Sequence, residues 1–217
     1  ILLMLVGGYL RLAPLSTWLD NKSRFFFDEQ ETPLLVTVDS YYYLDIAALI
    51  QSGEYQKIDQ RRHVPVGHER SSYPPLLSVF IAKISDWTSV SLEWIAIILP
   101  VVLGVLLAIP SYILAFMLMM RARCGVIDEG KRELSAHLAG LAAAFFSLLS
   151  PMYMERSAIG WLDTDVLNVT FPLVFVILGI RLADSEKVRD QIICLFGFLV
   201  TVLLFLWWWD QTTIAVA

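Results

Sequence analysis

VSLEWIAIILPVVLGVLLAIPSYILAFMLMM, residues 90–120, is an apolar stretch in which Glu93 is the one charged side chain. An α-helix needs roughly 20 predominantly apolar residues to cross the hydrocarbon core of a bilayer. This stretch is long enough to cross with tilt, and Pro100 and Pro110 are expected to kink it. Its length and composition predict a membrane-spanning helix.

The whole chain has the composition of an integral membrane protein. Hydrophobic residues make up 57% of the sequence, charged residues 17%, and the mean hydropathy is +0.64. These values lie outside the range of ordinary soluble domains, so membrane lipid is the expected surrounding. Four further apolar stretches are residues 1–14, which are a partial span, 135–154, 166–182 and 191–209. The sequence therefore predicts an all-α fold with about five membrane crossings.

A long polar segment, residues 15–89, separates the first two predicted spans. Four prolines break it, so it is not a spanning helix. We expect it to contain helices that lie parallel to the membrane. One covers residues 40–52, with Asp39 as a candidate N-cap and Gly53 as its end. The other covers residues 76–87 and ends on a tryptophan, which suits an interfacial anchor.

Lysine and arginine are concentrated in two short loops, around residues 121–132 and 181–189. The positive-inside rule places short basic loops on the cytoplasmic side of a membrane. Alternation of the spans then puts residues 15–89 and the loop 156–165 together on the opposite, outer face. The formal net charge is −5 and the basic residues form no concentrated patch, which argues against nucleic-acid binding.

Gly160-Trp-Leu-Asp-Thr-Asp165 places two carboxylates directly before a predicted membrane helix. An ionisable pair at a membrane boundary is costly unless it faces water, a partner or a cation. In extended chain Asp163 and Asp165 point to the same side, and several carboxylate oxygens suit Mg²⁺ or Mn²⁺. Asp165 has a second interpretation, because a carboxylate at a helix start also complements the helix dipole.

Asp39 and Arg156 are the other two residues that could act with this pair. Asp39 precedes the first predicted helix of the polar segment, so it is either an N-cap or a member of the same acidic site. Arg156 lies seven residues before Asp163 on the same loop. Its guanidinium could reach from a helix end toward water, keep the carboxylates ionised, or bind a phosphate.

Arg156-Ser-Ala-Ile-Gly-Trp-Leu-Asp-Thr-Asp-Val-Leu167 resembles the second acidic motif of the catalytic subunits of oligosaccharyltransferase. In that family an Arg, a Gly, an aromatic residue and Asp-x-Asp precede the fourth membrane helix. Two segments of the polar region are similar to the family's first outer loop and first acidic motif: Phe25-Phe-Phe-Asp-Glu-Gln30 and Val38-Asp-Ser-Tyr-Tyr-Tyr43. Tyr73-Pro-Pro-Leu76 and Trp207-Trp-Trp209 also have counterparts, so the resemblance covers essentially the whole chain. Ser40 stands where family members usually have Gly or Pro.

The resemblance implies a membrane domain of the glycosyltransferase C class. It implies an enzyme that transfers a preassembled oligosaccharide from a polyprenyl pyrophosphate to the Asn of Asn-x-Ser/Thr in an acceptor polypeptide. By residue, it makes Asp39, Asp163 and Asp165 ligands of Mg²⁺ or Mn²⁺, gives Asp39 a contact to the acceptor amide, and makes Arg156 a supporting or substrate-facing cation.

Two elements of the family have no counterpart in these 217 residues: a Glu in a later outer loop, and a C-terminal soluble domain with a Trp-Trp-Asp signature. We therefore expect the 217-residue chain alone to be inactive. Trp208-Trp-Asp210 spells the same signature, but it ends a predicted membrane helix, and we interpret it as part of an interfacial aromatic belt.

Two other functions fit the same pattern. One is a transferase of the same fold class that uses a polyprenyl-phosphate sugar, with Asp39 as a general base. The other is a transporter or other non-enzymatic membrane subunit, which would place its charges at the midplane of broken helices rather than at one face. We expect the protein to lie in the plasma membrane of a prokaryote with its active face outward. The alternative is the membrane of the endoplasmic reticulum with a lumenal active face.

Overall fold

The computed structural model describes residues 1–27, 31–122 and 129–209. These residues form twelve helices and one short antiparallel ladder. In chain order the elements are α1 (Leu2–Leu12), α2 (Pro14–Asp20), α3 (Lys22–Phe25), α4 (Val38–Ser52), β1 (Ile58–Asp59), β2 (His68–Glu69), α5 (Leu76–Thr88), α6 (Leu92–Val105), α7 (Ala108–Arg121), α8 (Glu129–Leu149), α9 (Pro151–Arg156), α10 (Asp165–Asn168), α11 (Thr170–Asp184) and α12 (Val188–Trp208).

The predicted all-α, multi-span membrane class is confirmed. In the described part of the chain, four continuous helical stretches are long and apolar enough to cross a membrane: Leu2–Asp20, Leu92–Arg121, Asp165–Asp184 and Val188–Trp208. The first of them continues past the predicted end at residue 14. Pro14 permits this because it stands at the first position of α2, where a backbone N–H would have no partner within the helix.

The long apolar stretch is divided into α6 and α7 at Leu106 and Leu107, although both residues keep right-handed helical backbone angles. Pro110 accounts for the position of this interruption, since a proline removes the hydrogen bond to the carbonyl four residues earlier and its ring crowds that carbonyl. The carbonyl of Leu106 instead accepts a bond from the N–H of Ile109, at 3.1 Å. Pro100 lies inside α6. The helical hydrogen bonds are therefore interrupted one turn before the second proline, and the expected kinks at Pro100 and Pro110 stay predictions.

The predicted span at residues 135–154 does not form as one helix. Helix α8 begins at Glu129 and ends at Leu149, and Ser150 is extended because Pro151 follows it. Four charged residues fall in the first turns of α8, and this helix is not among the four stretches apolar enough to cross. It packs along α7, where the absence of a side chain on Gly140 lets the ring of Tyr112 approach closely.

The connecting segment, residues 21–91, contains both predicted helices of the polar region. Helix α4 ends as predicted at Gly53, which has φ +75°, a conformation that glycine adopts without strain. Its N-cap, however, is Thr37, whose side chain accepts the N–H of Ser40, and Asp39 lies in the first turn. The prediction of Asp39 as the cap was wrong, because Thr37, two residues earlier, is also a residue that can cap a helix and has the extended backbone that a cap needs.

The main core lies where α5, α6 and the start of α10 pack together. Leu77, Ile81, Ala96 and Ile97 are completely buried there. The same cluster includes Leu162 and Val166, which flank the two acidic residues of the second motif. The acidic loop is thus fixed on a packed hydrophobic base.

Candidate active site

Two segments that are far apart in sequence meet at the candidate site. The Val36 N–H donates to the carbonyl of Gly160 at 3.1 Å. The Ser40 hydroxyl donates to the carbonyl of Leu162 at 2.9 Å and accepts the N–H of Leu162 at 3.0 Å. Asp39 is next to Ser40 and Asp163 is next to Leu162, so these bonds bring the two acidic motifs side by side.

Gly160 is required by the geometry of the second motif. It has φ +78°, and its N–H donates to the carbonyl of Ile97 at 2.9 Å. A Cβ at this position would lie 2.6 Å from the ring of Trp18 and 3.0 Å from Val36. The turn therefore needs a residue with no side chain, both for its backbone conformation and for its close contact with α2.

Asp163 is half-buried, and among the residues that the structure describes no cationic side chain pairs with it. Its Oδ1 accepts the N–H of Thr164 at 2.6 Å. Burial raises the pKa of the Asp163 carboxyl above its ordinary value, and the nearby charges of Asp165 and Asp39 raise this pKa further, against the opposing effect of the Thr164 N–H. A cation placed among these carboxylates would remove the repulsion between them.

Asp165 has partners of its own. Its carboxylate forms an ion pair with Arg156 and accepts the side-chain N–H of Asn168 at 3.2 Å. The Arg156 guanidinium also lies 5.7 Å from the centre of the Trp161 ring. Asp165 opens the short helix α10, whose N-cap is Thr164. Of the interpretations left open for Arg156, the structure supports the pairing with a carboxylate.

The donor chemistry suits a hard divalent cation, but the described residues supply an incomplete set of ligands. Asp39 is exposed at the start of α4, and Asp163 lies near enough for the charge of Asp39 to affect its carboxyl. Within the residues that the structure describes, no group of three or more His, Cys, Asp or Glu is arranged to hold a metal ion. A cation bound by Asp39 and Asp163 would need further oxygen ligands.

Trp208 of α12 supports the site, although the sequence predicted an interfacial belt there. Trp208 is 2% exposed and donates its indole N–H to the carbonyl of Thr164 at 2.7 Å. Trp207 donates to the carbonyl of Pro74 at 2.8 Å. The belt interpretation was wrong for Trp208, because its partner is a loop carbonyl between the two acids. Residues 28–30, Arg123 and Asp210, which also entered the sequence predictions, lie outside the described residues.

Sequence reasoning also missed a buried arginine behind the site. Arg11 is 1% exposed and donates to Ser157 Oγ at 2.8 Å, the Leu148 carbonyl at 2.9 Å and the Gly7 carbonyl at 3.0 Å. Its guanidinium lies 5.6 Å from the centre of the Tyr153 ring. Arg11 therefore joins α1 to the end of α8 and to the start of the acidic loop.

The sequence matches the family described as "Oligosaccharyl transferase STT3, N-terminal" over residues 10–128 and 130–217. The chain belongs to this family. The sequence prediction of the family is thereby confirmed, and the acidic loop described above falls within the matched range.

The chain is also similar to two glycotransferases from different organisms. The chain is 25% identical to a dolichyl-phosphooligosaccharide-protein glycotransferase of Methanocaldococcus jannaschii, over 70% of this chain and 16% of that protein. It is 23% identical to an undecaprenyl-diphosphooligosaccharide–protein glycotransferase of Campylobacter jejuni, over 90% of this chain and 23% of that protein. The chain thus spans less than a quarter of the length of either relative.

Proposed function

We propose that this chain is the N-terminal part of the membrane domain of an oligosaccharyltransferase. The enzyme would transfer a preassembled oligosaccharide from a polyprenyl-pyrophosphate carrier to the Asn of Asn-x-Ser/Thr in an acceptor polypeptide. Family membership and the names of the two relatives support the reaction class. The observation that carries the proposal is the pair of bonds from Ser40 to Leu162, because they bring Asp39 beside Asp163.

The chemistry explains why two carboxylates would be needed. An amide nitrogen is a weak nucleophile, since its lone pair is delocalised into the carbonyl, and full loss of that conjugation costs about 18–20 kcal/mol. A carboxylate that accepts the amide hydrogens favours a twisted and more nucleophilic nitrogen. Asp39 suits this role because it is exposed at the site, whereas Asp163 is half-buried behind it.

We propose Asp39 and Asp163 as ligands of Mg²⁺ or Mn²⁺, with Asp165 supporting them. A bound cation would orient the carboxylates and neutralise the charge that develops on the departing pyrophosphate. Arg156 holds Asp165 by an ion pair and leaves part of its guanidinium exposed, so it is available to a phosphate of the donor. Positioning of amide, sugar carbon and leaving group would supply much of the remaining rate enhancement.

We further propose that the site faces the exterior of a prokaryotic plasma membrane, or the lumen if the membrane is that of the endoplasmic reticulum. The short basic loops at the other ends of the spans support this orientation. The remaining ligands and the acceptor-reading domain would come from other parts of the full-length enzyme, so we expect no activity from the 217-residue chain alone.

Substitution of the two carboxylates in the full-length enzyme tests the proposal. Peptide glycosylation is measured with a lipid-linked oligosaccharide donor and a labelled Asn-Ala-Thr peptide. Asp39→Asn and Asp163→Asn should each lower turnover by roughly 100-fold or more, the usual range for loss of a positioned catalytic group. Asp20→Asn, an exposed aspartate at the end of α2, is the control and should leave turnover unchanged. Turnover within threefold of wild type in Asp163→Asn would refute the site.

A further inference from the structure

The Ser40 hydroxyl is completely buried between the two acidic segments and uses its full hydrogen-bonding capacity. It donates to the Leu162 carbonyl at 2.9 Å and accepts the Leu162 N–H at 3.0 Å. The Thr37 hydroxyl lies 2.7 Å away and fills the second acceptor position. A hydroxyl offers one donor and two acceptor positions, so Ser40 forms every bond available to it.

The backbone N–H and carbonyl of Leu162, which bond this hydroxyl, are also buried. Leu162 is 1% exposed, so its backbone groups are shielded from water. In the described ranges, Ser40 is the partner of both its N–H and its carbonyl. Buried backbone groups are nearly always paired, and loss of the Ser40 hydroxyl would leave two of them without a partner.

These bonds act on the carboxylates through very short connections. Asp39 precedes Ser40 in the first turn of α4, and Asp163 follows Leu162 in the acidic loop. The two carboxylates repel each other as like charges, so nothing in their own interaction holds them together. The bond from Val36 to Gly160 fixes the other edge of the same contact at 3.1 Å.

We propose that Ser40 is a positioning residue that fixes the separation of Asp39 and Asp163, so that both carboxylates present oxygens to one divalent cation. This inference rests on the proposed function and adds a residue to it. Ser40 touches neither substrate nor cation. Its effect is on the geometry of the two ligands and is expected first in cation affinity.

The test compares Ser40→Ala with Ser78→Ala in the full-length enzyme. Ser78 is also completely buried, and its hydroxyl donates to the Tyr43 carbonyl of the same helix α4 at 2.8 Å. Both substitutions therefore remove a buried hydroxyl bonded to backbone, but among the described residues Ser78 forms no hydrogen bond with the acidic loop. The measurements are Mn²⁺ binding by electron paramagnetic resonance without donor or peptide, glycosylation at varied Mn²⁺, melting temperature, and hydrogen exchange of the Leu162 amide in metal-free protein.

In Ser40→Ala we expect Mn²⁺ affinity to fall about 10- to 100-fold, the range known for residues that orient metal ligands. Turnover at saturating Mn²⁺ should recover to within about fivefold of wild type, and exchange of the Leu162 amide should accelerate. Ser78→Ala should lower the melting temperature without changing Mn²⁺ affinity. Ser40→Cys keeps a weak donor and should lose less affinity than Ser40→Ala, and it provides the same comparison if the alanine variant does not fold.

Unchanged Mn²⁺ affinity in Ser40→Ala or Ser40→Cys, or an equal loss in Ser78→Ala, would overturn the positioning role. In both of those cases wild-type glycosylation in the same assay leaves the proposed function standing. If the wild type neither binds Mn²⁺ nor glycosylates the peptide, the proposed function fails, and the role of Ser40 fails with it.

Discussion

Asp59 and Asp163 are both shielded carboxylates outside the spanning helices, and their surroundings are opposite. Asp59 has a side chain that is 4% exposed and lies among Arg61, Arg62 and Arg70. Burial alone would raise the pKa of Asp59, but the Arg61 N–H and the Arg70 guanidinium outweigh it and hold this pKa below the ordinary value. The pKa of Asp163 is raised, first by burial and then by the nearby charges of Asp165 and Asp39.

The difference distinguishes an ion cluster that stabilises the fold from one that, in our proposal, binds a cation. The arginines around Asp59 neutralise it, and Arg61 also binds Asp45 of α4 through two bonds of 3.0 and 2.6 Å. Asp59 thus ties the β1–β2 hairpin to α4. Perturbed carboxylates without compensation are concentrated at functional sites, because a ligand or substrate supplies the missing charge.

Asp59→Asn should give the largest loss of stability. The asparagine leaves the Arg70 guanidinium, 6% exposed, without its anionic partner, and breaking such a buried pair costs about 3 kcal/mol. The loss is measured as a fall in melting temperature in detergent. Asp86→Asn, which breaks an exposed pair with Lys83, is the control and should leave the melting temperature almost unchanged, because exposed ion pairs contribute little. If the two variants melt alike, Asp59 is not a structural centre.

Gly160→Ala should destabilise the acidic loop by about 2 kcal/mol. Alanine at a left-handed φ costs roughly 1–2 kcal/mol, and the added Cβ would also press on the Trp18 ring. Melting temperature and glycosylation should fall together. Gly179→Ala is the matched control, because its Cβ would meet nothing within 4 Å. A wild-type melting temperature in Gly160→Ala would show that the turn is not fixed as described.

Trp208→Phe should cost at least about 1 kcal/mol, the usual net value of one hydrogen bond. The bond to the Thr164 carbonyl would be lost, although that carbonyl keeps the Leu167 N–H at 3.2 Å, and the smaller phenyl ring would leave part of the buried position empty. Trp207→Phe serves as the control, since Trp207 is 43% exposed. An equal or larger effect of Trp207→Phe on melting temperature would contradict the special position of Trp208.

The smallest effect concerns pH. Because the folded-state pKa of Asp59 is depressed, its contribution to stability is fully present above its unfolded-state pKa of about 3.9 and is lost as pH falls through the folded-state value. The difference in melting temperature between wild type and Asp59→Asn should therefore stay constant from pH 7 to pH 5 and shrink below pH 4. A difference that already shrinks between pH 7 and pH 6 would contradict the assignment.

The sequence was sufficient for features that depend on neighbouring residues. Length and hydropathy predicted the helices that contain residues 92–121 and 188–208, and Gly53 marked the end of α4. The Asp-x-Asp spacing and Arg156 identified the acidic loop. Local composition did not predict the end of α8 at Leu149, although Pro151 was a usable signal that the sequence interpretation passed over.

Features that depend on distant partners could not be predicted. The contact between Ser40 and Leu162 joins residues 122 positions apart. Trp208 at the end of an apolar helix has the pattern of an interfacial anchor, and only its partner 44 positions away shows otherwise. Arg11 likewise had the pattern of a charge near a helix end until Ser157 and Leu148 were found beside it.

Mn²⁺ binding by the full-length protein, with Asp59→Asn and Asp163→Asn measured side by side, tests the central claim most directly. The uncompensated site should bind the cation and the neutralised cluster should not. We predict that wild type and Asp59→Asn bind Mn²⁺ with the same affinity, and that Asp163→Asn loses this binding by at least about 10-fold. Undiminished binding in Asp163→Asn, or loss of binding in a folded Asp59→Asn, would contradict the account.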